Sequence, residues 1–69
     1  MNISKFTEYE LEHFRNRCNF VGVEKDLFRL RSEGISLESI AEILGYTSDG
    51  IKKVSRRVNH KIIKVQEHK

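Results

Sequence analysis

The chain has 69 residues, 38% hydrophobic and 33% charged, with a net charge of +3, one cysteine, no proline and no tryptophan. This suffices for one small domain, near the lower limit for a hydrophobic core without staples, and a lone Cys18 excludes an internal disulfide, so a reducing cytoplasm is the simplest compartment. No apolar run approaches the length of a membrane span, and the opening MNISKFTEYE lacks the apolar core of a signal peptide.

Residues 1–6 read as a flexible N-terminal arm, residues 7–66 as one domain and residues 67–69 as a tail. Thr7 and Glu10 have the spacing of a capping box, and Glu8, Glu10 and Glu12 sit at the end of a helix that favours anions. Leu11, Phe14 and Cys18 recur at i, i+3, i+7, which predicts a first helix from Glu8 to Arg17 with that face on the core. Cys18 on an apolar face reads as a small hydrophobe, and His13, His60 and His68 share no spacing that would gather them with it on a metal. Asn19 to Gly22 form a break. From Val23, the positions Val23, Leu27 and Leu30 mark one helical face with Phe28 beside it, and Gly34 ends this second helix after Ser32 and Glu33. Ile35 packs beneath the turn, and Ser36 caps the next helix, with Ser39 where a full capping box would have Glu.

The stretch from Leu37 to Val58 organises the chain. Ile40, Ala41 and Leu44 share one face of a helix from Leu37 to Leu44. Gly45 follows where a left-handed residue closes a helix. Tyr46 is the one apolar residue in the break, Thr47 offers a side-chain oxygen to the next helix, and Asp49 lies in that helix's first turn. On a wheel at about 100° per residue, Ile51, Val54, Val58, Ile62 and Val65 fall in one narrow sector. Asp49, Lys53, Arg56, Arg57, His60 and Lys64 lie opposite. Charge follows the same division: residues 1–46 carry 6 Lys/Arg and 8 Asp/Glu, residues 47–69 carry 7 and 2. Positive charge gathered on one helix is the footprint of a polyanion binder.

Ile40, Ala41, Leu44, Gly45, Ile51 and Val54 together resemble the helix-turn-helix of bacterial LuxR-type regulators and of the C-terminal promoter-reading region of sigma factors. They are also similar to small helix-turn-helix proteins of phages and mobile elements. The resemblance covers roughly residues 23–62. It implies an all-α fold of four helices, with a three-helix core and a long C-terminal recognition helix. It also implies sequence-specific binding of duplex DNA and control of transcription, with a second use in which the domain touches RNA polymerase or another regulator. The chain departs from these families at Val21 and Gly22, where they tend to have a hydroxyl cap. It departs again at Gly50, where they have a hydroxyl or larger residue; glycine there either weakens the first turn or lets DNA approach the backbone.

A recognition helix enters the major groove N-terminal end first, which makes Thr47, Ser48, Asp49, Lys52, Lys53 and Arg56 the expected readers of base edges. Arg56 or Lys53 suits guanine O6 and N7, and Asp49 suits a cytosine amino group. Arg57, Lys61 and Lys64 are expected on phosphates, and His60 lies on the same face. The bland alternative is a solvated basic surface, against which the preceding motif weighs. The apolar stripe is too narrow for an anionic membrane and is needed for the core. No phosphate-cradling loop, nucleophile–base set or paired catalytic carboxylates stand out, so neither enzymatic activity nor a cofactor is expected. Ile62, Ile63 and Val65 extend beyond what three short helices obviously bury. They either dock on the first helix or join a second subunit, as in the two-fold dimers common among small helix-turn-helix proteins. A protein-interaction module without DNA binding is the reading of a different class, and Lys52, Lys53, Arg56 and Arg57 discriminate between the two.

Overall fold

The computed structural model describes residues 3–67 and is all-α, with four α-helices and no strand among the described residues. They are α1 (Glu8–Arg17), α2 (Val23–Ser32), α3 (Leu37–Leu44) and α4 (Ser48–Glu67). Each boundary has a local cause. At the start of α1 the Glu10 amide donates to Thr7 Oγ1 at 3.2 Å, and the Thr7 amide donates to Glu10 Oε1 at 2.9 Å. This is the reciprocal cap that the sequence predicts. At the start of α3 the Ser39 amide donates to Ser36 Oγ at 3.3 Å. Gly45 closes α3 at φ 73°, ψ 33°, with the Tyr46 amide reaching back to the Ala41 carbonyl at 2.8 Å, the wrap that a left-handed residue permits. Thr47 then opens α4 by accepting from the Gly50 amide at 3.0 Å.

The start of α2 is different. Gly22 stands at the cap with no side-chain hydrogen bond of its own, and the amide of Val21 donates instead to Glu24 Oε1 at 3.2 Å. A carboxylate from inside the helix does the work of the missing hydroxyl.

Helices α2 and α3 each pack on α4 and on one another, and α1 packs on α4. The molecule measures 35 × 19 × 19 Å, and a helix of 20 residues spans about 30 Å, so α4 runs nearly its whole length. Ile51, Val54, Val58 and Ile62 are buried along it, meeting Leu11, Phe14 and Cys18 from the α1 region, Leu27, Phe28 and Leu30 from α2, and Ile40 and Ala41 from α3. The Phe20 and Phe28 rings stack at 4.8 Å between centroids. No helix among the described residues is long and apolar enough to cross a membrane.

Two expectations need correction. Residues 3–6 of the expected arm are packed: Ile3–Lys5 form a 3-10 turn against α2, Ile3 is buried, and the Phe6 ring lies 5.1 Å from that of Phe14. The isolated apolar residues Ile3 and Phe6 are anchors, and only Met1 and Asn2 of the arm lie outside the described residues. Ile62 is 0% exposed, so of the two uses weighed it docks within the monomer, while Val65 is partly buried against the same core. Ile63 is 43% exposed and remains outside. Helix α4 continues to Glu67, and His68 and Lys69 of the expected tail fall outside the described residues.

Truncating the two neighbours should separate their roles. Ile62→Ala is expected to cost about 2–5 kcal/mol through lost burial and a residual cavity, and Ile63→Ala less than about 0.5 kcal/mol. Urea unfolding at two protein concentrations checks both, and equal losses would contradict the packing.

Candidate nucleic-acid interface

The surface built by the end of α3, the turn and α4 is set by the core stripe. Once Ile51, Val54, Val58 and Ile62 face inward, helical geometry turns the intervening polar residues outward. Asp49, Lys53, Arg56, Arg57, His60 and Lys64, which the wheel sets opposite the core stripe, are all exposed, and so are Thr47, Ser48 and Lys52. They share one side of α4, with Thr47, Ser48 and Asp49 at its N-terminal end, where free amides give a positive dipole end. Arg56, Arg57, His60 and Lys61 line a single open groove. A second depression, of about 330 Å³, lies where α2 ends and α3 and α4 begin, lined by Arg31, Ser36, Glu38, Ser48 and Lys52 among others.

Lys61 departs from the row. It is half-buried, and its Nζ donates to Glu24 Oε1 at 2.5 Å and to the Asn19 carbonyl at 3.2 Å. The other carboxylate oxygen, Glu24 Oε2, lies 3.4 Å from Arg57 Nε. Among the described residues, Arg57 and Lys61 are the only cations of the α4 row paired with a carboxylate.

Glu24 is the residue that sequence reasoning missed. It is 4% exposed, the one buried charged residue of the described chain. A signal was present: on the α2 wheel Glu24 falls between Leu27 and Phe28, about 60° and 40° from them, inside the apolar arc. Burial pushes its pKa up, but the hydrogen bonds from Lys61 and the Val21 amide and the charges of Lys61 and Arg57 more than offset this. The carboxyl is held below its ordinary value and stays ionised. Cys18 shows the reverse balance: burial raises its thiol and the charge of Lys61 only partly lowers it, so it remains a neutral core residue.

Gly50 acquires a local explanation beside the two left open above. A Cβ at this position would sit 3.0 Å from Thr47 Oγ1 and 3.5 Å from Tyr46 Cδ2, pressing on the hydroxyl that caps α4.

Compared with known proteins, the chain matches no family model, no curated protein and no solved structure. The meaning of this surface therefore rests on its own geometry.

Two outcomes follow from these contacts. Because the pKa of Glu24 is lowered by folding from an ordinary value of 4.5, its ionised form stabilises the fold fully above about pH 5, and that stability is lost as pH falls through the folded value. Glu24→Gln should therefore lower the urea midpoint at pH 7 and reduce the loss of stability between about pH 6 and pH 3; an unaltered pH profile would contradict the pairing. Gly50→Ala should stabilise by up to about 1 kcal/mol in a Thr47→Ala background, where helix propensity acts alone, and by less with Thr47 present, where it disturbs the cap. A double-mutant cycle in thermal unfolding measures the difference.

Proposed function

We propose that this chain is a helix-turn-helix module that binds duplex DNA sequence-specifically, with α4 as recognition helix, and acts as a small cytoplasmic regulator of transcription. The observation that carries the reading is the succession of α3, the left-handed Gly45, the Thr47 cap and α4, with exposed cations of α4 on the side away from the core. A helix offered in this way fits a major groove about 12 Å wide. Its positive N-terminal end and the cations behind it suit a duplex whose surface is phosphate.

In this reading Thr47, Ser48, Asp49, Lys52, Lys53 and Arg56 approach base edges, while Arg57, His60 and Lys64 lie along the backbone. The depression between α2, α3 and α4 adds Arg31 and two helix N-termini near the same surface, which favours phosphate there, although Glu38 shares the rim. The protected thiol of Cys18 suits a reducing compartment.

A second reading has its own support. Ile43 and Tyr46 are exposed large hydrophobics at the end of α3, beside exposed Glu42. Such a patch suits contact with RNA polymerase or another regulatory protein, either alongside DNA or in its place. Self-association on a two-fold DNA site would use Ile63, which is exposed, rather than Ile62, which is in the core.

Fluorescence anisotropy with mixed-sequence duplex DNA, repeated across salt concentrations, tests the first reading. Each phosphate contact contributes about 0.9 to the log–log slope, so four to five cations predict a slope of about −4. Lys53→Ala combined with Arg56→Ala should make it shallower by nearly 2 in a protein that stays helical by circular dichroism. No binding near 50 mM salt would remove DNA as the partner and leave the Ile43–Tyr46 patch as the surface to pursue.

A further inference from the structure

Arg57 and Lys61 are one helical turn apart on the same basic row, and sequence alone gives them the same task. Their surroundings differ. The Lys61 side chain is 31% exposed, and its ammonium is engaged at once by the Glu24 carboxylate and the Asn19 carbonyl. An ammonium has three N–H donors, so two of the three are already committed to groups on the α1–α2 linker and α2. The Arg57 side chain is 60% exposed and meets Glu24 through Nε alone, at 3.4 Å. A guanidinium carries five N–H groups, four of them on the two terminal nitrogens. An acceptor outside the protein therefore finds Arg57 with its fork available and one edge already held. The carboxylate that makes both contacts cannot relax away, because it is buried and also receives the Val21 amide that opens α2.

We propose that Glu24 is a positioning residue for DNA binding, which withdraws Lys61 from the contacting row and presents Arg57 to a phosphate. The proposal rests on the DNA-binding reading above. It divides the row by function: Lys52, Lys53, Arg56, Arg57 and Lys64 release counterions on binding, whereas Lys61 is a structural cation whose charge is spent inside the protein. A carboxylate placed here also limits how much positive charge the C-terminal half of α4 offers to any polyanion, so that affinity depends on the N-terminal half, where base edges are read.

The test compares the full chain with Arg57→Ala, Lys61→Met and Glu24→Gln, using a random-sequence duplex between about 50 and 300 mM salt and urea unfolding in parallel. Methionine keeps most of the length of the lysine stem without its charge. Arg57→Ala should make the salt slope shallower by about 0.9 with little change in urea midpoint. Lys61→Met should leave the slope at the wild-type value and lower the midpoint. Glu24→Gln should steepen the slope by about 0.9, as Lys61 is freed to join the row, and the steepening should vanish in the Glu24→Gln, Lys61→Met double variant. A structural lesion alone does not make binding more salt-dependent, so this gain separates positioning from damage. Lys61→Met and Arg57→Ala giving equal loss of slope would overturn the proposal while leaving DNA binding intact. Should Glu24→Gln prove unfolded, the comparison of Arg57→Ala with Lys61→Met decides alone. No salt-dependent binding by the wild-type chain would remove both the reading and the division of labour built on it.

Discussion

Helix α4 has to satisfy the interior and the solvent along the same 20 residues. Its stripe of Ile51, Val54, Val58 and Ile62 is where α1, α2 and α3 are brought together. A shift along its axis by even one turn would carry these side chains past their partners, and a well-packed interior does not accommodate such a slide continuously. The polar arc opposite is therefore fixed by packing. Lys53 and Arg56 are exposed because Ile51, Val54 and Val58 on the other side of the helix are buried, and their spacing follows that of the core. Preorganisation of this kind is what a rigid binding surface needs, since little side-chain or backbone ordering then remains to be done on contact.

The same arrangement creates an electrostatic problem. Lys52 and Arg56, Lys53 and Arg57, and Arg57 and Lys61 are like-charged pairs at i, i+4, each unfavourable by roughly 0.2–0.5 kcal/mol in an isolated helix. Glu24, brought in from α2, lies against the last of these pairs. Among the described residues neither Lys52 nor Arg56 is paired with a carboxylate, and Lys52 and Lys53 also sit towards the helix end that repels cations. The repulsion left in that half must be offset by the core, and a polyanion bound there would relieve it. The part of α4 that the fold leaves uncompensated is thus the part where a partner would contribute most to stability.

What could be read from sequence follows from how local each cause is. The bounds of α1 and α3, the Gly45 turn and the Thr47 cap depend on residues three to five apart, and they appear as the spacing of Thr7 with Glu10, Ser36 with Ser39 and Thr47 with Gly50. The outward set on α4 follows from its own periodicity. Three things did not yield to that approach, and each is non-local. Ile3 and Phe6 have no periodic partners, so nothing in the first residues indicated the hydrophobic surface of α1 and α2 that they cover. Ile62 and Val65 read as surplus because the packing of α1 on α4 is not visible in the sequence. Glu24 stands at a helix start, a place where acids are common, and its partner Lys61 lies 37 residues away. Position on the wheel placed Glu24 in the apolar arc, but a charge there has meaning only once its counter-ion is known.

That dependence gives the first half of the chain a role beyond burying α4. The linker after α1 passes through two positive-φ residues, Asn19 at 52° and Gly22 at 54°. This path brings the Asn19 carbonyl to Lys61 and the Val21 amide to Glu24. Non-glycine residues rarely adopt such a conformation, and asparagine is among the few that do so readily. Phe20, between them, is held by stacking on Phe28, so the linker is anchored from within the core and from α4 together. A change in this segment would move the Glu24 carboxylate and, through it, alter which cations α4 presents, without touching a residue of the exposed row. The surface of α4 is therefore a property of the whole fold. Its pattern comes from its own period, its orientation from α2 and α3, and its charge from a linker and a carboxylate that no inspection of α4 alone would include.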